Sequence, residues 1–566
     1  MPHLVIAPIL LPMLTAALML VMGEKRRSGK ALVNLVATGM GLLVAVALLA
    51  WVDVREAPLA FGIYMPGNWP VPFGIVLVLD RLSALMLVLS ASIGLASVLF
   101  SVARWHRAGV HFHPLFQIQL MGLNGAFLTG DLFNLFVFFE VMLVASYGLL
   151  LHGSGRARVQ AGLHYIAINL VASSLFLVGA ALLYGVTGTL SMADMAHKLS
   201  EIPAGDRGLL HAGAAVLGLA FLTKAAMWPL NFWLVPAYRA ASAPVAALFA
   251  IMTKVGIYAV IRVWMLFFPV GDEGGPLVVP FGAHALVWGG IATLAFGTIG
   301  ALASQHLGRL AGFSIIVSAG TLLASIGLRQ PAVTGGALFY LVSSTLAVGA
   351  LFLLIELIER SREVADAPPL PETTSENAPF ALDPQDPVLD ARVPEGVNLD
   401  EMERALIGQA IPAAMAFLGL AFIVCTLLIT GLPPLSGFVA KFALLSGLLN
   451  PVGLGLSTPT PSVANWTLLG LLIVSGLAST ISLSRAGIRY FWAPQERAAP
   501  RLRVIECLPI GLLLLACTAM TVGAGPALRY AQATADALHH PAAYIQAVMS
   551  AQPVPPPSAS PQEARP

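Results

Sequence analysis

The sequence predicts an all-α membrane protein of about 14 transmembrane helices. Of its 566 residues, 58% are hydrophobic and only 10% are charged, and the mean hydropathy is +0.84. A soluble protein carries about 25% charged residues, so this composition excludes a soluble globular enzyme and a disordered scaffold. Apolar runs of about 20 residues, the length of one bilayer crossing, recur along the whole chain. The formal net charge of +2 does not indicate a nucleic-acid partner.

Fourteen apolar segments account for this pattern, and most of them match a single bilayer crossing. The predicted spans lie near 3–22, 31–51, 82–103, 114–130, 132–151, 160–184, 210–236, 244–268, 284–303, 310–328, 334–358, 407–449, 465–484 and 504–524. The first span precedes its basic cluster, Lys25-Arg26-Arg27, and is therefore interpreted as an uncleaved helix instead of a signal peptide. The twelfth is too long for one straight helix and contains Gly431-Leu432-Pro433-Pro434.

The placement of basic residues predicts the orientation of the spans. Loops that follow odd-numbered spans hold 19 lysines and arginines, whereas the other loops and the C-terminal tail hold 7 and the spans themselves hold 4. Because cytoplasmic loops carry an excess of lysine and arginine, both termini are predicted to lie outside.

Two segments have the composition of unstructured chain. Residues 359–404 carry twelve acidic residues, four arginines and seven prolines, which predicts a disordered cytoplasmic insert, either a solvated linker or a docking surface. The tail after Gln552 is rich in proline and is predicted to be unstructured as well. The three cysteines, Cys425, Cys507 and Cys517, lie in apolar runs without a CxxC pair, so no disulfide framework, structural zinc, iron–sulfur cluster or other cofactor is predicted.

Four charged side chains lie deep inside predicted spans. They are Glu140, Lys224, Lys254 and Lys441, and each costs about 2.5–3.5 kcal/mol at the bilayer centre unless it is paired or hydrated. A desolvated lysine can release its proton, whereas arginine stays protonated, so the choice of lysine favours proton transfer. The alternatives are buried ion pairs that fix helix packing, or lysines that snorkel to the interface.

The remaining charges lie nearer span ends. Arg262 approaches the end of the eighth span, and Asp80, Asp131 and Glu356 are expected where water or headgroups can reach them.

Prolines interrupt two of the spans that carry lysine. Pro229 and Pro236 follow Lys224 in the seventh span, and Pro433-Pro434 precede Lys441 in the twelfth. Discontinuous helices at corresponding places in two halves indicate a transporter's ion site. The breaks lie five spans apart, and segments separated by an odd number of spans cross the membrane in opposite directions. If spans 4–8 and 9–13 are repeats, they must therefore be inverted repeats.

Four segments resemble the antiporter-like subunits shared by respiratory complex I and Mrp-type cation/proton antiporters. Residues 131–143 (DLFNLFVFFEVML) are similar to the fifth-helix motif, and residues 221–230 (FLTKAAMWPL) to the seventh helix. Residues 431–442 (GLPPLSGFVAKF) resemble the broken twelfth helix, and residues 80–83 (DRLS) the start of the third. Within this superfamily, residues 248–262 (LFAIMTKVGIYAVIR) look most like the D subunit of the Mrp antiporter, also called Mnh or Pha.

The resemblance implies a fold of fourteen helices with two inverted five-helix repeats, spans 4–8 and 9–13, and broken helices 7 and 12. The implied units are helices 1–3 (1–110), the first repeat (111–270), the second repeat with the acidic insert (280–500), and helix 14 with a disordered tail (501–566). It also implies a proton path through Glu140, Lys224, Lys254 and Lys441, and it identifies no metal ligands.

The resemblance further implies a transporter subunit and not an enzyme. Its expected partners are the A, B, C, E, F and G subunits of the antiporter, the lipid bilayer, protons and Na⁺ or K⁺, in a bacterial inner membrane. Two alternatives stay open: a proton-pumping membrane subunit of a complex I-like oxidoreductase or membrane-bound hydrogenase, and a structural scaffold with buried ion pairs.

The sequence departs from the family where relatives carry relay residues. The tenth helix has Ser318 where many relatives have His or Gln, and the eleventh has Ser344 and Val348 where His and Lys are frequent. The link between the two half-paths then uses water with nearby hydroxyl groups, or it is weaker in this protein; the candidate hydroxyl groups are Ser314, Ser318, Tyr340, Ser343 and Thr345. The alternative for these buried serines is helix packing, so no role is assigned to them.

Overall fold

Long apolar helices form almost the whole structure, a computed structural model. It describes residues 2–23, 26–55, 60–105, 109, 111–153, 155–199, 201–269, 281–366, 413–450, 460–492 and 502–554. Within these ranges, 11 helices are long and apolar enough to cross a membrane, and two shorter apolar helices accompany them. The predicted all-α membrane fold is thereby confirmed.

The described residues of the first half form eleven helices and a short hairpin. The helices are α1 (Ala7–Val21), α2 (Arg27–Asp53), α3 (Arg81–Ala103), α4 (Phe112–Leu128), α5 (Leu132–Leu150), α6 (Arg156–Thr187), α7 (Met192–Leu199), α8 (Arg207–Lys224), α9 (Leu234–Ala240), α10 (Ala243–Phe249) and α11 (Met252–Phe267). A 3₁₀ turn, Pro2–Leu4, precedes them. The strands β1 (Gly62–Tyr64) and β2 (Leu77–Leu79) pair antiparallel, with Ile63 opposite Val78.

Nine helices follow in the described part of the second half. They are α12 (Ala283–Ala303), α13 (Leu307–Gly327), α14 (Pro331–Asp366), α15 (Ala413–Thr430), α16 (Ser436–Leu449), α17 (Val463–Gly487), α18 (Val504–Val522), α19 (Ala524–His539) and α20 (Ala542–Met549). A π-helical turn, Ile488–Trp492, continues α17.

Both predicted breaks are present. The chain is not helical between Lys224 and Leu234, or between Thr430 and Ser436. A third interruption separates α10 from α11 at Ala250 and Ile251, which the sequence does not predict because neither proline nor glycine marks it.

The predicted insert begins as ordered helix, which corrects its expected start at residue 359. Helix α14 continues to Asp366 because residues 359–366 contain no proline, the first being Pro368. The rest of the insert and the tail from residue 555 onward lie outside the described residues.

Three short helices and the hairpin were not predicted. Helices α7, α19 and α20 are too polar or too short to match a membrane-length apolar run. They all belong to connections that the loop charges place outside, and α19 packs against α14.

Contacts between connections follow the predicted division into two sides. On the predicted outer side, Leu77 bridges to Thr129, and Asp131 bridges to Ser191. The C-terminal segment joins this side through Tyr530, whose hydroxyl donates to the Arg81 carbonyl at 2.8 Å.

The predicted cytoplasmic connections also contact one another. The indole N–H of Trp105, after α3, donates to the carboxylate of Glu356, near the end of the apolar part of α14. Arg158 at the start of α6 donates to the Ala240 carbonyl at 2.9 Å. None of these contacts crosses from one predicted side to the other.

Three apolar helical segments make up the centre of the molecule. Within their membrane-length windows, Ala243–Phe267 is 100% buried, and Leu307–Gly327 and Pro331–Arg360 are each 94% buried. Helices that are apolar on all sides are stable only when other helices surround them. This centre holds Lys254, Ser318 and Ser344, so any polar side chain in it needs a partner within the protein.

Candidate functional site

The first break places Lys224 at the last residue of α8. Its side chain is buried, and Nζ has no hydrogen-bond partner among the described residues. The ammonium lies 5.4 Å from the centre of the Phe139 ring, a cation–π distance. Carbonyl groups at a helix C-terminus carry partial negative charge, so the end of α8 favours a cation there.

Glu140 lies on α5, next to Phe139 in sequence. Its carboxylate is half-buried and accepts a hydrogen bond from the hydroxyl of Ser173 on α6. The structure thus brings Lys224 to the helix that carries Glu140, but none of the ion pairs in the described ranges joins the two. The predicted partners Glu140 and Lys224 therefore lie near each other but do not form an ion pair.

Lys254 follows the interruption between α10 and α11 and lies in the first turn of α11. Its fully buried Nζ donates to Ser318 Oγ on α13 at 2.9 Å, and Ser318 Oγ shares a hydrogen bond of 3.0 Å with Ser344 Oγ on α14. A helix N-terminus disfavours positive charge, so hydroxyl oxygens are the main stabilisation of a charged Lys254. Of the two serines at the family's relay positions, Ser318 therefore contacts the buried amine directly and Ser344 is linked to it through Ser318.

Gly256 lets α11 approach the first break. A Cβ atom at this position would lie 2.8 Å from the Lys224 carbonyl carbon and 2.5 Å from the Ala225 nitrogen. Any larger residue would separate α11 from the end of α8, and with it Lys254 from Lys224.

A small cavity continues the row of hydroxyl groups beyond Ser344. Its polar lining comes from α13, α14 and α17, namely Ser314, Tyr340, Ser343, Ser344 and Ser479. Ser343 Oγ shares a hydrogen bond of 2.8 Å with Ser436 Oγ, at the first residue of α16. The hydroxyl-lined region thus extends from Lys254 to the second break.

The second break holds Lys441. Its half-buried Nζ donates to the carbonyl oxygen of Thr430, the last residue of α15, at 2.6 Å. Gly431 turns the chain with a φ of +76°, in the left-handed region that favours glycine, and a Cβ atom there would collide with the Lys441 side chain.

No group of three or more His, Cys, Asp or Glu side chains suited to a metal ion occurs within the described ranges.

Comparisons with known proteins bear on this arrangement. A family model described as NADH:quinone oxidoreductase/Mrp antiporter, transmembrane region, matches residues 129–390. The chain is 53% identical over 552 residues to the D subunit of a probable K⁺/H⁺ antiporter of Rhizobium meliloti (strain 1021), covering 97% of this chain and 98% of that protein. It is 32% identical over 555 residues to the D subunit of the Na⁺/H⁺ antiporter of Bacillus subtilis (strain 168), covering 97% and 100%. The chain belongs to the family of antiporter D subunits.

A solved structure agrees with this membership. A chain of the Mrp complex from Dietzia sp. DQ12-45-1b superposes with a TM-score of 0.79 at 25% identity, covering 97% of this chain and 100% of that one. The predicted resemblance is confirmed, and the chain is a membrane subunit of a cation/proton antiporter, a transporter subunit and not an enzyme.

The two breaks of this family member place their lysines in similar surroundings. Sequence puts Lys224 before its prolines but Lys441 after them, so the breaks look unlike each other. In the structure, Lys224 ends α8, and Lys441 reaches back to the carbonyl that ends α15. The C-terminal end of a half-helix is thus part of both sites: Lys224 is the last residue of α8, and the Lys441 ammonium contacts the last carbonyl of α15.

One charge of this antiporter component lies where the sequence did not predict it. Asp80 was expected within reach of water or headgroups, but it is buried and forms a bidentate ion pair with Arg262, with both N···O distances 2.7 Å. Asp80 does lie at a span end, where it caps α3 and lines a cavity beside the C-terminal helices, but the sequence did not predict its pairing with Arg262. Arg262, the only arginine inside a predicted span, could have indicated this pair, since a buried guanidinium requires a carboxylate partner.

Proposed function

We propose that this chain is the proton-conducting subunit of a multisubunit antiporter that exchanges K⁺ or Na⁺ for protons. Glu140, Lys224, Lys254 and Lys441 transfer the protons. The main support for this proposal is the pair of hydrogen bonds that links Lys254 to Ser318 and Ser318 to Ser344. A hydroxyl-lined cavity continues from Ser344 towards the second break. It supplies donors and acceptors in the part of the membrane where water is otherwise excluded.

The contacts define a role for each amine. A protonated Lys254 donates to Ser318, and the hydroxyl passes on its own proton when it accepts another, so neither serine needs to ionise. Lys441, which donates to the Thr430 carbonyl, is the last group of the proposed proton path. Lys224 has no fixed acceptor among the described residues, so a proton arriving at Glu140 changes the balance of charge around it.

The proposed architecture has fourteen transmembrane helices with inverted five-helix repeats at spans 4–8 and 9–13. Its units are 1–110, 111–270, 280–500 and 501–566. The positions of Lys224 and Lys441 support the repeats, because Lys224 ends the half-helix α8 and Lys441 reaches the end of the half-helix α15, in corresponding spans.

Partner subunits complete this path at both ends. Glu140 and Lys441 are only half-buried, and Phe133, Val137 and Phe442 beside them are exposed. An intramembrane charge that faced lipid would be costly, so other membrane subunits of the complex cover these faces. The A, B, C, E, F and G subunits are the proposed partners, in a bacterial inner membrane.

K⁺ is the proposed cation, since the relative with 53% identity is named as part of a probable K⁺/H⁺ antiporter. The test is ΔpH-linked exchange in vesicles that hold the whole complex, with K⁺ and Na⁺ compared. We expect K⁺ to drive the larger ΔpH change and the isolated chain to be inactive. Robust exchange by the isolated chain would contradict the need for partners.

Two substitutions separate proton transfer from a purely architectural role. Lys224→Arg keeps the positive charge but cannot release its proton, so we expect exchange to be lost. Glu140→Ala should also abolish exchange while the complex assembles. Normal exchange by either variant in an intact complex would make the charge structural.

The family model also covers NADH:quinone oxidoreductase, but the relatives that match nearly the whole chain are antiporter D subunits, so a redox-driven pump is not favoured. Purification of the complex distinguishes the two: flavin or iron–sulfur subunits would indicate the oxidoreductase, and small membrane subunits alone the antiporter.

A further inference from the structure

A cavity of about 320 Å³ lies among helix ends on the side that the loop charges place outside. The start of α3 and the end of α11 form one wall of this outer cavity, and the C-terminal helices α19 and α20 form the other. Its polar lining comprises Asp80, Arg81, Arg262, Thr534, His540 and Tyr544. Its apolar lining includes Leu82, Met265, Leu266 and Leu538. The proton path proposed above does not include the outer cavity.

The lining of the outer cavity carries a net positive charge. Asp80 is the only carboxylate among its lining residues, and Arg262 binds both of its oxygens at 2.7 Å. Because this pair is neutral as a whole, the charge of Arg81 has no counterpart in the lining. None of the ion pairs in the described ranges includes Arg81. Such a lining repels cations and attracts anions.

Arg81 differs from the paired arginines because its side chain lacks an acceptor. It is half-buried, and its Nε is buried without a hydrogen-bond partner among the described residues. A buried donor that stays unsatisfied is costly, and a guanidinium is satisfied best by the oxygens of a carboxylate or a phosphate. The lining has no free carboxylate, so the missing acceptor is an anion from outside this chain.

The depth of the outer cavity matches that of lipid headgroups. The apolar run of α3 begins at Leu82, directly after Arg81, and Met265 and Leu266 belong to the last turn of α11. The cavity therefore lies where the apolar spans meet their polar ends. A phospholipid has the same arrangement, since its phosphate lies at the border of the hydrocarbon core. A free anion would use only the polar half of this lining.

We propose that the outer cavity binds the phosphate of an anionic phospholipid headgroup, with Arg81 as its main ligand. The hydroxyl of Tyr544 on α20 is a second donor, and the apolar lining receives the glycerol and the first carbons of the acyl chains. Because α3 and α20 lie on opposite walls, the bound headgroup holds the C-terminal helices against the transmembrane helices. The proposal does not depend on the proton path.

Two arginines on the same side of the molecule provide the first test. Arg81 lines the outer cavity, whereas Arg529 on α19 is exposed and does not. Arg81→Gln and Arg529→Gln each remove one positive charge, and the Arg81 carbonyl that accepts from Tyr530 is kept. Each variant is purified as the whole complex in detergent, freed of lipid and titrated with dioctanoyl phosphatidylglycerol. Native mass spectrometry counts the bound lipid.

We expect Arg81→Gln to weaken binding at one phosphatidylglycerol site by roughly fivefold or more, since it loses a charge-assisted hydrogen bond. Arg529→Gln should bind as the wild type does. Equal binding by both variants would overturn the site. Dioctanoylglycerol, which has no phosphate, should not compete, and competition as strong as that of phosphatidylglycerol would make the cavity a purely apolar pocket.

Inorganic phosphate distinguishes a lipid headgroup from a free anion. We expect an excess of phosphate to leave the phosphatidylglycerol in place, because phosphate makes no use of the apolar lining. Displacement of the lipid by phosphate in the wild type, but not in Arg81→Gln, would assign the site to free phosphate and overturn the lipid. Dioctanoyl phosphatidylcholine should bind more weakly than phosphatidylglycerol, because its choline brings a cation to a positive lining; equal binding would overturn the preference for an anionic headgroup.

Two neighbouring alanines on α20 test the location of the site. Ala543 lines the outer cavity, whereas Ala542 is exposed and does not. Ala543→Leu should fill part of the cavity and lose the same phosphatidylglycerol, and Ala542→Leu should keep it. Thermal unfolding without lipid shows that each variant is folded, and added phosphatidylglycerol should raise the Tm of Ala542→Leu more than that of Ala543→Leu. Equal lipid counts and equal Tm shifts in the two would overturn this location.

Discussion

Charged side chains at the edges of the membrane region are held differently from those in its middle. At the edges, Arg262 binds Asp80 and Arg360 binds Glu506, each through two charge-assisted hydrogen bonds of 2.7–2.8 Å. In the middle, Lys254 contacts only a serine hydroxyl, and Lys224 has no hydrogen-bond partner in the described part of the chain.

On the proton path proposed here, the difference separates structural charges from the charges proposed to transfer protons. An arginine with a saturated carboxylate cannot exchange protons, because guanidinium does not deprotonate and every acceptor is occupied. A lysine beside neutral hydroxyl groups can lose its proton and leave its neighbour satisfied. Residue type and partner thus predict function better than depth in the membrane does.

The largest effect is expected at Lys254. Lys254→Met should reduce exchange by roughly 10²-fold, the usual scale for removing a proton-transfer group. Lys254→Arg should not restore it, because arginine keeps its proton. Exchange in vesicles is the measurement, and equal amounts of assembled complex are the control. If Lys254→Arg exchanged normally, the proposed distinction between structural arginines and proton-transferring lysines would be wrong.

Breaking an edge pair should affect stability first. Arg262→Ala leaves Asp80 buried without its partner, which costs about 3–5 kcal/mol. The apolar double variant Asp80→Leu/Arg262→Met should recover most of that loss, since it removes both charges. Thermal unfolding of the purified complex measures it. A double variant as unstable as the single one would show that the pair itself is strongly stabilising.

A smaller effect is expected at Ser318. Ser318→Ala removes one hydrogen bond to Lys254, worth about 0.5–1.5 kcal/mol, so exchange should slow by roughly two- to tenfold. Ser325→Ala on the same helix is the matched control, because its hydroxyl donates only to the Thr321 carbonyl of α13. Identical rates for the two variants would remove Ser318 from the path.

The smallest effect concerns a titratable group outside the membrane spans. Burial, with the nearby charges of Arg329 and His540, lowers the pKa of His539 from 6.5 to about 4, and its Nε2 shares a hydrogen bond with Thr334. The folded state thus favours neutral His539, so docking of α19 is strongest above pH 6.5 and weakens as the pH falls towards 4. Limited proteolysis of α19 at several pH values measures this.

His539→Gln should flatten that pH dependence, since glutamine keeps a hydrogen-bonding group but does not titrate. An unchanged profile in the variant would assign the effect to another group.

Much of the site could be predicted because its residues break general rules. A lysine in an apolar run is conspicuous, and so is a Pro-Pro pair within a span, so Lys224, Lys254, Lys441 and both breaks were identified from sequence. Their surroundings could not be: serine is common in membrane helices for packing reasons, and nothing in its spacing distinguishes Ser318 from Ser325.

The unpredicted parts of the fold share a different cause. A membrane span is marked in the sequence by a long apolar run, whereas α19 and α20 are short and mixed in polarity. The interruption before Lys254 also has no marker, because Ala250 and Ile251 are ordinary helix residues. Only tertiary contacts determine these features.

Helix α14 has one further consequence. Its 36 residues span about 54 Å at 1.5 Å per residue, whereas the hydrocarbon core is about 30 Å thick. A single stiff rod therefore carries Ser343 and Ser344 inside the bilayer and Arg360 near the cytoplasmic surface. Because the helix is continuous from these serines to Arg360, any displacement of its outer turns is transmitted directly to the buried hydroxyl groups.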